Sequence, residues 1–235
     1  MNRRVTAVVV SICGVLALAA VVAVAAPTIY RNFFVEEAAE APTLSADASA
    51  LDAAGGSELD LAEVSGEWLV SEGSYAGYRV NEVLNGSPVT VTGRTDQVTG
   101  SLTIDGLTLQ AASFEVDVAS IATDSSQRDR YFRDQALDVG TNPAAAFVLA
   151  SPVTITVAPK TGEVIEQAVS GDLTIAGTTQ RVAFTVQLQS DGETARIAGQ
   201  IPIDFADYGI EAPNLGFVSV EDNGFVEFEL VATRA

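Results

Sequence analysis

The feature that most constrains what this chain can fold into is a period of two. From residue 66 onward, short runs alternate apolar and polar side chains, as in SFEVDV (residues 113–118) and VAFTVQL (residues 182–188). Successive side chains of a strand point to opposite faces, so each run has one dry face and one wet one. Phe114, Val116 and Val118 share a face, with Glu115 and Asp117 on the other; Val182, Phe184, Val186 and Leu188 lie opposite Ala183, Thr185 and Gln187. Turn pairs separate the runs: Asp105-Gly106, Thr161-Gly162, Ala176-Gly177, Asp191-Gly192 and Asn223-Gly224. Many short strands with almost no helix predict an antiparallel barrel or sandwich, and about eight strands fit the roughly 170 residues available. A barrel of that size is either just filled by its own side chains or holds one small ligand. The inward positions are rich in Val, Leu, Ile and Phe, so any ligand there is apolar.

The chain before residue 66 differs in kind. Arg3 and Arg4 precede an uncharged, proline-free apolar run, residues 5–26. At 1.5 Å per residue it reaches roughly 33 Å, against about 30 Å of bilayer hydrocarbon, and so predicts a transmembrane helix. Arginines at its start and acid beyond it predict a cytoplasmic N-terminus, with the remainder outside the membrane. Ala23-Val24-Ala25 also has the small-x-small form of a signal cleavage site, the alternative reading. Tyr30, Phe33 and Phe34 stand where an interfacial aromatic belt would lie. Residues 35–65 are Ala, Ser, Gly and acid with few large apolar side chains; they cannot offset their ordering entropy by burial and read as a flexible spacer. The expected division is an anchor or signal (1–26), a juxtamembrane and acidic spacer (27–65) and a β-domain (66–235).

Composition narrows the chemistry. Asp and Glu number 31 against 12 Lys and Arg, a net charge of −19, which argues against binding a nucleic-acid backbone. The chain has no histidine, so His-based triads, general bases and zinc sites are excluded. Cys13, the only cysteine, lies in the apolar run. Asp172, Asp204 and Asp207 are the best candidates for a paired-carboxylate hydrolase, yet their spacing is that of solvated turn acids. DVGTN and EDNG lack the alternating oxygen ligands of a calcium loop, and Gly100, Gly171 and Gly177 build no phosphate-binding motif before a helix. No cofactor and no metal are expected.

One segment breaks the alternation. In DSSQRDRYFRDQALDVGTNPAAAF (residues 124–147), Asp124 and Gln127 have capping-box spacing, with Ser125 as another possible cap. Arg128, Tyr131, Phe132, Gln135 and Ala136 then fall on one helical stripe, while Asp129 with Arg133 and Arg130 with Asp134 have i,i+4 spacing. The segment predicts a short amphipathic helix on a long connection. It is either a plug for one end of the barrel or a lid whose Tyr131 and Phe132 meet an apolar tail.

The stretch SFEVDVASIATDSSQRDRYFRDQALDVGTNPAAAFVLASPV (residues 113–153) resembles the signature region of the YceI-like family of extracytoplasmic lipid-binding proteins. Its marks are a strand with F-x-V, Ser-Ile-x-Thr, Arg-Asp with an apolar residue three on, Asp-Val, then Pro and a Phe-led strand. GDLTIAGTTQRVAF (171–184), IDFADYGI (203–210) and WLVSEGSYAGYRV (68–80) resemble further family stretches in the same order, covering nearly all of residues 68–235. Tyr131 stands at or near a position where members often carry a histidine.

The resemblance implies a lipocalin-like, all-β fold: an antiparallel eight-stranded barrel with a short helix, enclosing an apolar tunnel that can take a long isoprenoid chain. The expected partners are an apolar lipid such as an isoprenoid and, through the N-terminal helix, the membrane; binding without turnover is expected. The ligand-binding candidates are Phe114, Val116, Arg128, Tyr131, Phe132, Phe147, Phe184, Val186, Phe205 and Phe228. The alternative is an extracytoplasmic interaction domain whose barrel is filled by its own side chains.

Overall fold

The computed structural model describes residues 38–45 and 57–235. The strands are β1 (Gly66–Val70), β2 (Tyr75–Leu84), β3 (Ser87–Thr95), β4 (Val98–Asp105), β5 (Thr108–Asp117), β6 (Ala144–Leu149), β7 (Val153–Thr154), β8 (Ile165–Ile175), β9 (Thr178–Ser190), β10 (Thr194–Asp204) and β11 (Val218–Arg234). Two short helices are α1 (Leu61–Val64) and α2 (Ser126–Tyr131). Eight strands close a ring in the order β1-β4-β5-β6-β8-β9-β10-β11, with β11 returning to β1, and every pairing is antiparallel. The all-β barrel is therefore present, and the sandwich alternative is not the one adopted.

The long β11 sets the shape. Its last residues pair with β1 (Trp68↔Arg234, Val70↔Ala232), and the rest pairs with β2 (Tyr75↔Glu229 to Leu84↔Val218). The β2–β3 hairpin thus continues the wall past the point where β1 ends. Its tight turn at Asn85-Gly86 has positive φ at both residues, 49° and 81°, the conformation a two-residue hairpin requires.

Two sequence readings are corrected here. Asn223-Gly224, read as a hairpin turn, lies inside β11, where the register against β2 shifts between Val220 and Gly224. Gly224 serves close strand approach there, since a Cβ would fall 2.8 Å from the Arg79 carbonyl oxygen. The Phe-led strand expected after Pro143 is broken into β6 and the two-residue β7, separated by residues 150–152.

The apolar run at 5–26 and its predicted membrane span lie outside the described residues. Among the described residues, no helix is long and apolar enough to cross a membrane. The spacer is not wholly free of the barrel. Residues 38–45 run across its outer wall, with Pro42 and Leu44 buried; Ala39 N–H donates to Thr92 Oγ1 and Leu44 N–H to Gln187 Oε1. Arg79 and Arg94 donate to the carbonyls of Ala39 and Glu40. Beneath this strap lies Glu227, fully buried although it is on the outward face of β11, held by Arg79 Nε at 2.9 Å and Arg94 Nε at 2.8 Å. Farther along, Leu59, Leu61 and Val64 pack into the core at the opposite end of the barrel from α2, where Trp68 Nε1 donates to the Val64 carbonyl at 2.9 Å. The described part of the segment read as a flexible spacer therefore supplies core surface. A few well-placed apolar side chains and backbone carbonyls suffice to dock a segment whose mean composition is that of a spacer.

Candidate functional site

The alternation read from the sequence delivers one face of every ring strand to the interior, and the interior is not filled. It encloses a cavity of about 830 Å³ with a predominantly apolar lining. The cavity runs from Leu59, Leu61, Val64 and Trp68 at one end to Leu84, Val218 and Val220 at the other. On β11 alone its lining spans Val218 to Leu230, which at about 3.3 Å per residue and a tilt near 40° amounts to roughly 25 Å along the barrel once the bulge is allowed for. That volume and shape are of the class that takes a long small-molecule ligand.

The middle of the cavity is walled by aromatic rings. Phe147 meets Phe184 edge-on at 5.6 Å, and Phe184 meets Phe228 edge-on at 6.1 Å. Phe147 has room because its β8 neighbour is Gly171: a Cβ there would fall 2.2 Å from the ring. The outer end carries α2 and the continuation to residue 136. Ser125 is the N-cap, accepting from Arg128 N–H, whereas Asp124 turns its carboxylate to the Arg128 guanidinium. After Tyr131 the helix widens into a π-turn over Phe132–Ala136, with Leu137 N–H donating to the Phe132 carbonyl at 3.1 Å. Arg128, Tyr131, Phe132 and Ala136 line the cavity, while Gln135, placed on the same stripe by the sequence, lies within the widened turn and is exposed. The expected Asp129–Arg133 and Arg130–Asp134 pairs are not among the ion pairs of the described residues. Asp129 is buried and accepts from the Thr123 amide at 2.9 Å and its hydroxyl at 2.7 Å, which pins the loop to the helix start.

All the candidate residues, Phe114, Val116, Arg128, Tyr131, Phe132, Phe147, Phe184, Val186, Phe205 and Phe228, line this one cavity. Two more belong with them and were missed: Glu82 and Tyr78. Glu82, on the inward face of β2, is buried, and Arg128 Nη2 lies 3.3 Å from its Oε1. Tyr78 stacks on Phe132 at 4.7 Å and 21°. Burial holds the Tyr78 phenol well above its ordinary range, and the carboxylates of Asp129, Glu82 and Asp124 push the same way against Arg128. The phenol is therefore protonated at every physiological pH. Signals for both were present, since Tyr78, Val80, Glu82 and Leu84 share one face and a carboxylate interrupts that apolar stripe.

The aspartates weighed as a hydrolytic pair are not gathered in the cavity. Asp172 forms a bidentate pair with Arg181 across β8 and β9, with Nε–Oδ1 at 2.6 Å and Nη2–Oδ2 at 3.1 Å. Asp204 and Asp207 flank the turn around Tyr208, beside a small separate pocket.

Two solved structures share this architecture. A polyisoprenoid binding domain from Saccharophagus degradans, implicated in plant cell wall breakdown, superposes with a TM-score of 0.57 at 20% identity, covering 72% of this chain and 99% of that one. BcnA of Burkholderia cenocepacia superposes with a TM-score of 0.53 at 21% identity, covering 75% and 100% respectively. No curated protein matches the chain by sequence. The YceI-like domain family matches residues 69–232, a span that takes in every ring strand in whole or part. The chain is a member of the YceI-like family.

Proposed function

We propose that this barrel holds an apolar lipid, of isoprenoid type, in its interior without chemical turnover, and that it does so outside the cytoplasmic membrane. The observation that carries the reading is the open, roughly 25 Å apolar cavity, where a protein-interaction domain needs only a filled core. Each enclosed CH₂ contributes about 0.8 kcal/mol, so a tail of a dozen carbons supplies roughly 10 kcal/mol against the costs of ordering it. The structural neighbour from Saccharophagus degradans, described as a polyisoprenoid binding domain, supports the choice of lipid class. A fluorescent prenyl chain should bind saturably, one per protein, and be displaced by squalene, an isoprenoid with no head group. Non-saturable uptake, or no displacement, would contradict the reading.

Location rests on Arg3, Arg4 and the apolar run at 5–26. The protein should fractionate with membranes and be cut by protease added from the outer side; recovery from the cytosol would contradict this.

A further inference from the structure

At the end of the tunnel opposite α2, chain from outside the family domain crosses the mouth. The family match begins at residue 69, whereas the crossing segment is residues 57–65. On one side Glu58 bridges Lys160, Leu59 N–H donates to the Pro159 carbonyl at 3.0 Å, and Thr161 N–H donates to the Ser57 carbonyl at 3.0 Å. That loop is fastened to the end of β9: Gly162 N–H donates to the Ser190 carbonyl at 2.8 Å, and Gln189 Nε2 to the Gly162 carbonyl at 2.9 Å. Asp60 then accepts from Ala62 N–H at 2.8 Å and turns the chain into α1. On the other side Ser65 Oγ accepts from Gly106 N–H, in the β4–β5 turn, at 2.9 Å, and β1 pairs with β4 from Gly66 onward. In the ring of eight, β4 and β9 stand four places apart, so they face each other across the barrel. The segment spans the full width of the mouth. From it Leu59, Leu61 and Val64 enter the cavity lining and pack on the core around Trp68.

We propose that residues 57–65 form a floor that makes the tunnel blind at the α1 end, and that Leu59 and Leu61 set the longest isoprenoid tail it encloses. The inference rests on the lipid-binding reading above. An extended peptide gains about 3.3–3.6 Å over the three bonds of a residue, so a four-bond isoprene unit takes about 5 Å. The tunnel, roughly 25 Å along β11 with its lining continued to Leu59 and Leu61, therefore encloses about five or six units. A longer tail cannot pass the floor, and its excess forgoes the burial that binds the rest.

The test offers the full-length protein, in phospholipid nanodiscs, an equimolar mixture of farnesol, geranylgeraniol and solanesol, prenyl alcohols of three, four and nine isoprene units. Native mass spectrometry reads which is bound. The unmodified protein should take geranylgeraniol over solanesol by at least tenfold. In Leu59→Ala/Leu61→Ala the floor opens and that preference should shrink to threefold or less. Leu61→Trp raises the floor and should shift the bound species toward farnesol. Equal or preferred binding of solanesol by the unmodified protein overturns the proposal while leaving the lipid-binding reading intact, and that comparison requires no variant to fold. An unchanged profile in both folded variants overturns it as well. Binding of none of the three alcohols overturns the lipid-binding reading and the floor with it.

Discussion

Replacing Arg79 and Arg94 together by alanine should lower stability by about 3–5 kcal/mol, because it leaves Glu227 buried with no countercharge. For a domain of this size that corresponds to a fall in Tm of roughly 6–20 °C. The asymmetry of the cluster gives the control. In Glu227→Gln the two guanidinium groups keep some access to water, at 16% and 27% side-chain exposure, so the loss should be much smaller. Part of the double variant's loss comes from the strap: its Ala39 and Glu40 carbonyls lose their donors, and Leu44 its fixed seat. A shortened chain beginning at residue 57 would therefore melt lower than one beginning at residue 38. A double variant that melts within about 2 °C of the parent would mean that water reaches Glu227 and that the strap is incidental.

Replacing Phe132 by aspartate should remove the lipid and keep the barrel. Phe132 lies in the cavity against Tyr78, on a connection outside the ring of strands. A carboxylate there costs a few kcal/mol against apolar surface unless the π-turn swings away, and either outcome spoils the end of the tunnel. Bound lipid should fall at least tenfold with an unchanged circular dichroism spectrum. A folded variant with normal lipid content would reduce α2 to a surface plug.

The barrel was legible because its strands are half-buried. Wherever one face is dry and the other wet, the period of two appears in the sequence, and it placed Phe114, Val116, Phe184 and Val186 on the cavity wall. What escaped the reading depends on what lies above a residue rather than beside it. Glu227 alternates outward as an ordinary wet position, yet Arg79 and Arg94 close on its carboxylate and are themselves held by the carbonyls of a strap whose composition is that of a solvated spacer. Asp129 and Asp134 were paired with arginines by i,i+4 spacing, but the π-turn changes the period and Thr123 claims Asp129 instead. Asn223-Gly224 fits a bulge as well as a hairpin, and only the register of β2 decides between them. Glu82 was legible in principle, as the one carboxylate on an inward apolar stripe; its partner Arg128 lies 46 positions away, beyond any local pattern.

Occupancy of the cavity by an apolar lipid is open to direct chemical analysis. The most direct measurement is mass spectrometry of an organic extract of the purified protein, set against an extract of the Phe132→Asp variant prepared in parallel. A single dominant isoprenoid species, near one per protein chain, should appear in the first extract and little of it in the second. An extract of the unmodified protein that yields no lipid beyond a buffer blank, from a protein that also fails to take up a prenyl chain saturably, would contradict that occupancy.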